Sequence, residues 1–141
     1  MKLVTEEDFR AYAKSNPFME YNHISIVSVS PDRCVVKVDL APESKNRSGY
    51  AHGGLLYAMA DCVAGIVSRT DGADYVTQSA HMNFLHNVQS GTVYAAGRIN
   101  REQVPVYAEV PWAHDVPPEQ VLVLHTLVVD PAAAGRGYGT Q

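Results

Sequence analysis

Hydrophobic and polar residues alternate along much of this chain with the two-residue period of β-strands. Residues 23–30 and 33–40 alternate in this way, and a turn at Pro31-Asp32 joins them. Similar patterns predict strands near residues 75–85, 91–101, 104–112 and 120–129. We therefore expect five or six antiparallel strands.

Two segments carry the pattern of helices. Residues 5–15 predict a short helix, with Thr5 as its N-cap and Asn16-Pro17 at its end. Residues 55–68 are apolar on nearly every helical face, which is typical of a helix buried at the centre of a domain. This run is too short and too interrupted to span a membrane. One buried helix with antiparallel strands gives an α+β pattern.

Asp61 lies in the middle of this apolar helix. Carboxylates are rarely buried unless they are paired or hydrogen-bonded. One interpretation is that Asp61 bonds a neighbouring backbone group or marks a solvated edge of the helix. The other is functional, since a buried carboxylate whose surroundings tune its affinity for protons is a candidate general base or nucleophile.

The start of the same helix has the opposite electrostatic character. Free N–H groups at a helix N-terminus favour negative charge, and glycines let a substrate carbonyl approach the backbone. The amide of Gly53 is therefore a candidate oxyanion donor. The alternative is that Gly53 and Gly54 only allow close packing against a sheet.

The spacing of these two candidates constrains the site. Gly53 and Asp61 are eight residues apart, which is about 12 Å along a helix. A reacting carbonyl must lie about 3 Å from both donor and base, so one helix cannot supply both. Either one of the two is idle, or Gly53 of one protomer works with Asp61 of a second protomer across a two-fold axis.

These residues together resemble a known family signature. Asn46, the run His52-Gly53-Gly54, and Asp61 are similar to the pattern of hotdog-fold acyl-CoA thioesterases of the phenylacetate-degradation type. The resemblance implies a central helix wrapped by an antiparallel sheet, a homodimer or homotetramer, and active sites between protomers. It assigns Asp61 as base or nucleophile and the Gly53 amide as the group that polarises the thioester carbonyl.

The resemblance also implies roles for neighbouring residues. Asn46 would hold the substrate or the lytic water, His52 would shape the loop, and Ser79 would orient the water. Substrate contacts would come from the glycine turn, from aromatic residues of an acyl pocket and from a cation near the mouth of the site; these are Gly54, Tyr50, Tyr57 and Arg47. Tyrosines near such a helix are more often core residues, and Arg47 is equally well explained as a solvated surface charge.

The implied reaction is hydrolysis of an acyl-CoA thioester, with CoA as part of the substrate and no separate cofactor. A hydratase or dehydratase on the same fold is an alternative, although the Asp-His pair typical of those enzymes is not evident. A non-catalytic acyl-CoA-binding protein is another, and it would keep Gly53 and the pocket while Asp61 would be dispensable.

The length, charge and cysteine content of the chain limit the kinds of partner that we expect. The chain has 141 residues, enough for one domain, and a formal net charge of −4, which gives no reason to expect nucleic acid. No signal peptide or membrane span is evident, and Cys34 and Cys62 suit free thiols, so we expect a cytoplasmic protein. No metal site is expected, since His81 and His86 would lie on opposite faces of one strand.

The C-terminal residues fit the thioesterase pattern less well. Residues 121–139 also resemble the acetyl-CoA-binding strand and glycine loop of GNAT acetyltransferases, with Gly135, Gly137 and Gly139 at matching positions but Ala134 in place of the usual Arg or Gln. The sequence stops before the helix that would hold the phosphates, so an acetyltransferase-related fragment is the weakest alternative. We expect a thioesterase domain over residues 1–130 and a glycine-rich tail over 131–141.

Overall fold

In the part of the chain that the structure describes, four antiparallel strands form a sheet that is one layer of the protein. The computed structural model describes residues 5–77, 80–100 and 123–129. The strands lie in the order of the chain and are β1 (Ser25–Ser30), β2 (Arg33–Asp39), β3 (Thr92–Asn100) and β4 (Val123–Val129). The expected α+β class and antiparallel sheet are confirmed.

The alternating pattern of the sequence explains the inner face of the sheet. In β2 the side chains of Cys34, Val36 and Val38 are buried, and the residues between them are more exposed. Val93 and Ala95 of β3 are buried in the same way. A period of two places alternate residues on one face, so these positions form the side of the sheet that faces the core.

Helix α3 (Gly53–Ser68) packs on this face, across β2 and β3. Its buried residues are Leu55, Leu56, Met59, Val63, Ile66, Val67 and Ser68. The opposite side of the helix carries Gly54, Tyr57 and Asp61 and is open within the protomer. The expectation of a helix buried all round is therefore wrong for the protomer, because small residues count as apolar in the sequence yet occupy the outer face.

The N-terminal helices confirm one prediction and add an element. Helix α1 (Glu6–Ser15) begins with a capping box in which the Thr5 hydroxyl accepts from the amide of Asp8 and the Asp8 carboxylate accepts from the amide of Thr5. A second short helix, α2 (Pro17–Tyr21), follows at once. Its N-cap is Asn16, and Pro17 occupies the first turn, where its missing N–H costs nothing.

Helix α2 ends in a Schellman motif with an unusual residue at its turning point. The amide of His23 donates to the Glu20 carbonyl at 3.1 Å, and the amide of Ile24 donates to the Met19 carbonyl at 2.8 Å. His23 has φ of 56°, in the left-handed region. Glycine usually fills this position, because an L residue there costs roughly 1–2 kcal/mol.

The strand expected near residues 75–85 is not present in the described part of that segment. Residues 73–77 and 80–88 have no regular secondary structure, and Val76 and Leu85 are more than nine-tenths exposed at 93% and 92%. An alternating pattern becomes a strand only when a neighbouring strand accepts its hydrogen bonds, and none of the described strands pairs with this segment.

The remaining predictions for the C-terminal part lie outside the described residues. They include the strand at 104–112, the first residues of the strand at 120–129, and the glycine-rich tail at 131–141. Among the residues that the structure describes, no helix is long and apolar enough to cross a membrane.

Candidate active site

The loop before α3 is shaped by the side chain of Asn46. Its amide oxygen accepts hydrogen bonds from the backbone amides of Ser48 at 2.9 Å and Tyr50 at 3.1 Å. The Asn46 backbone amide in turn donates to the Tyr50 carbonyl at 2.7 Å. The side-chain oxygen of Asn46 is therefore occupied by the loop, and its amide nitrogen is the part that remains to contact a substrate.

His52 caps the N-terminus of α3. Its Nδ1 accepts from the amide of Gly54 at 3.0 Å, and its carbonyl accepts from the amides of Leu55 and Leu56. A Cβ on Gly54 would lie 3.0 Å from this ring nitrogen. Glycine at position 54 thus gives the His52 ring room to fold back over the helix start.

The amide of Gly53 is the first-turn donor of α3 that has no acceptor among the described residues. The N–H groups at a helix start point outward and carry the positive end of the helix dipole. A Cβ at Gly53 would make only ordinary contacts with the Phe84 ring, at 3.6 Å. Close packing therefore does not require glycine here, and the free amide is the distinctive feature of the position.

Asp61 lies on the open side of α3 and is exposed in the protomer, so the expectation of a buried carboxylate is wrong. One carboxylate oxygen accepts a hydrogen bond of 2.7 Å from the hydroxyl of Thr77. A hydroxyl donor of this kind fixes the orientation of a carboxylate. Ser79, the predicted hydroxyl residue, lies outside the described residues. Thr77 was not anticipated, although its place in the same segment is a signal that could have suggested it.

Two grooves meet along the open side of α3. One, of about 470 Å³, is lined by Tyr57, Asp61, Thr77 and residues of α1 and α2. The other, of about 800 Å³, reaches from His52 and Gly54 outward to Tyr21 and His23. Because the grooves share Phe18, Gly54 and Ala58, a ligand in one lies next to the other.

The other predicted contact residues, Tyr50, Tyr57 and Arg47, are exposed in the protomer. Tyr50 and Tyr57 are each 40% exposed, so neither is a core residue in the protomer. Tyr57 lines the groove that contains Asp61, and Arg47 is exposed on the loop that Asn46 shapes. Within the described ranges no group of three or more His, Cys, Asp or Glu side chains is placed to hold a metal ion.

The helix geometry keeps Gly53 and Asp61 apart. Both belong to α3, and eight residues of helix separate them by about 12 Å along the axis. The structure thus brings Asn46, His52, Gly53 and Gly54 together at one end of the helix. Asp61 and Thr77 form a second cluster two turns away on the same open side.

A family model described as the thioesterase superfamily matches residues 48–103 of the chain. A protein of Saccharolobus solfataricus, provisionally assigned as an esterase, is 26% identical over 93 residues. This match covers 64% of the chain and 66% of the relative, just under two thirds of the relative's length.

Solved structures show the same fold. A mutant of the phenylacetic acid degradation protein PaaI from Thermus thermophilus has a TM-score of 0.58 and 29% identity, over 62% of this chain and 76% of that one. A Streptococcus mutans protein, solved with bound acetyl-CoA, has a TM-score of 0.53 and 30% identity, over 57% of this chain and 65% of that one.

Proposed function

We propose that the chain belongs to the thioesterase superfamily, whose family model matches residues 48–103 and whose hotdog fold it shares, and that it hydrolyses acyl-CoA thioesters at a site shared by two protomers. The observation that carries this proposal is the Gly53 amide, which is free of any acceptor in the described chain while its neighbours are all bonded. The acetyl-CoA bound to the similar Streptococcus mutans protein supports acyl-CoA as the substrate class.

The shared site follows from the separation of the two clusters. Within one protomer the Gly53 amide and the Asp61 carboxylate are too far apart to reach one thioester carbonyl. Asp61 is exposed on the open side of α3 and Gly53 is partly exposed at its start, so a second copy of the chain can face both. In the proposed dimer, the carbonyl lies against Gly53 of one protomer and within reach of the second protomer's Asp61.

The proposed reaction uses these groups in turn. The Asp61 carboxylate removes a proton from water, and the water oxygen bonds to the thioester carbon. The Gly53 N–H donates to the oxyanion of the tetrahedral intermediate. The C–S bond then breaks, and CoA thiolate takes up a proton while the free acid leaves. Direct attack by Asp61, through a mixed anhydride that water then hydrolyses, uses the same groups.

The free amide can be tested by removing one hydrogen-bond donor. Proline fits the first helical position, and His52 already has the extended backbone (φ −68°, ψ 130°) that a following proline requires. We expect Gly53→Pro to lower kcat for acyl-CoA hydrolysis by about 100-fold, the usual cost of losing one oxyanion donor. Release of free CoA from short, medium and aryl acyl-CoAs measures this.

Gly53→Ala is the matched control, since it adds a Cβ and keeps the N–H. The Phe84 ring leaves room for that Cβ, so activity should stay within a few fold of the unchanged chain. Equal activity of the proline and alanine variants would exclude the Gly53 amide from catalysis. Acyl-CoA binding without hydrolysis by the unchanged chain would instead favour the non-catalytic binding protein.

A further inference from the structure

His23 combines an unfavourable backbone conformation with a place at the candidate site. It occupies the turning point of the Schellman motif with φ of 56°, where glycine would be unstrained. Strained residues persist where the surrounding structure holds them, and they cluster at ligand sites. The His23 imidazole is therefore a candidate for a role in ligand binding.

The fold gives no structural compensation for this residue. The His23 ring is largely exposed, and its Nε2 lies 3.9 Å from the Glu43 carboxylate, which is equally exposed. Exposed pairs of this kind add little to stability. The backbone bonds of the motif come from the amides of His23 and Ile24 and would be the same with glycine at this position.

The ring does, however, line the larger groove beside the start of α3. Glu43, next to it, belongs to a short turn whose Ser44 carbonyl accepts the His52 amide at 2.9 Å. His23, Glu43 and His52 thus border one groove, which Gly54 also lines. Gly54 and His52 line this groove on either side of Gly53 in the sequence, so in the proposed complex a thioester whose carbonyl bonds the Gly53 amide extends part of its length into it.

The chemistry of the lining indicates what the groove holds. It combines aromatic rings with polar groups that include His23, Ser44 and the Glu43 carboxylate, and among the residues that the structure describes no Lys or Arg side chain lines it. Such a surface suits a neutral chain carrying hydrogen-bonding groups better than a diphosphate. We propose that His23 is a substrate-binding residue that hydrogen-bonds a neutral amide or hydroxyl group of the thioester substrate.

This inference rests on the proposed function, and His23→Gly tests it by separating stability from binding. Relief of the left-handed strain should raise the Tm by about 2–4 °C. Loss of the imidazole should raise KM for acyl-CoA by at least about 5-fold, or about 1 kcal/mol, with kcat changed less than about 2-fold. His23→Asn, which also tolerates this conformation, should raise KM without a loss of stability.

Glu20→Ala is the control, because this exposed residue lies on the short helix α2 that precedes His23 and does not line the groove. It should leave KM unchanged. If His23→Gly keeps the KM of the unchanged chain within about 2-fold, or if it lowers the Tm, the inference is wrong.

A truncated substrate distinguishes the two sources of the hydrogen-bonding group. If the group belongs to the pantetheine arm of CoA, the effect of His23→Gly should disappear with an S-ethyl thioester of the same acid, which lacks that arm and both of its amides. If the group belongs to the acyl chain, the effect should persist with the truncated thioester and require a polar acyl substituent.

A measurement of acyl-CoA binding tests the role of His23 separately from the proposed hydrolysis. If the unchanged chain hydrolyses no thioester, the proposed function fails, and the Tm increase caused by acyl-CoA then reports on His23 alone. A smaller increase in His23→Gly than in Glu20→Ala would support the inference. Equal increases, or no increase in any variant, would overturn it.

Discussion

Thr77 and Asp61 form the most specific side-chain contact of the candidate site. The 2.7 Å bond from the Thr77 hydroxyl holds one carboxylate oxygen and leaves the second oxygen to act on water. Because the pair is exposed within the protomer, its substitution should change catalysis far more than folding.

We therefore expect Asp61→Asn to lower kcat by at least about 100-fold and Thr77→Val to lower it by about 10-fold. The double variant should be no slower than Asp61→Asn alone, since Thr77 would act only through the carboxylate. Steady-state hydrolysis with Tm measured beside it checks this. Near-normal turnover of Asp61→Asn, or fully additive effects, would contradict these roles.

At this scale the sequence predicted the positions of Asn46, His52, Gly53 and Asp61 but not the environment of Asp61. The apolar run from 55 to 68 includes Ala58, Cys62 and Gly65, which count as hydrophobic yet line the open groove. Small residues on an outer face leave no sign in the alternation of hydrophobic and polar residues. The contact between Thr77 and Asp61 depends on how a segment without regular secondary structure packs against α3. No local sequence pattern predicts that packing.

At the scale of elements, the packing of α3 against β2 determines the protonation state of the Cys34 and Cys62 thiols. Burial raises the pKa of Cys34 to about 12, and the neighbouring Cys62 adds to this. Burial also raises the pKa of Cys62 to about 11, with a smaller contribution from the charge of Asp61. Both values lie above the ordinary 9.0, so folding favours the protonated thiols.

The sign of the pH dependence follows. Below about pH 9 the thiols are protonated in both the folded and the unfolded chain, so they do not change the free energy of unfolding. Between about pH 9 and 11 the unfolded chain loses protons that the folded chain keeps. Stability should therefore fall as the pH rises through this window. We expect the Tm to fall less steeply from pH 8 to 10.5 in Cys34→Ala than in the unchanged chain, whatever its starting Tm. Parallel curves would show that Cys34 is not the source.

Some helices and strands were predicted correctly from the sequence and others were not, and the difference has a physical reason. Helix α1 and strands β1, β2 and β3 match the expected segments within about two residues, because their caps and alternation are local. Helix α2 was missed, since five residues are too few to show a helical period. The segment at 75–85 alternates like a strand, but its pairing depends on a neighbour that the local sequence does not specify.

At the scale of the whole molecule, the central question is whether a complete site needs two chains. Gly53 at the start of α3 and Asp61 on its open side are about 12 Å apart along the helix. Val76, Phe84 and Leu85 are exposed on the segment that follows the helix, and such apolar residues commonly mark an interface. Both features favour a second copy of the chain as the partner.

Mixing two inactive variants tests this arrangement directly. Gly53→Pro retains Asp61, and Asp61→Asn retains Gly53, so a mixed dimer has one site with both intact groups and one site with neither. Random reassortment makes about half of the dimers mixed, and activity should return to about 25% of that of the unchanged chain.

A site contained within one protomer would give no such recovery, because every chain in the mixture lacks one of the two groups. The variants should be unfolded and refolded together, with each variant refolded alone as the control and the mass of the product measured in solution. Recovery near a quarter, in a product at least dimeric, would assign the amide and the carboxylate to different chains. Full-length variants that refold as dimers yet stay inactive when mixed would contradict the shared site.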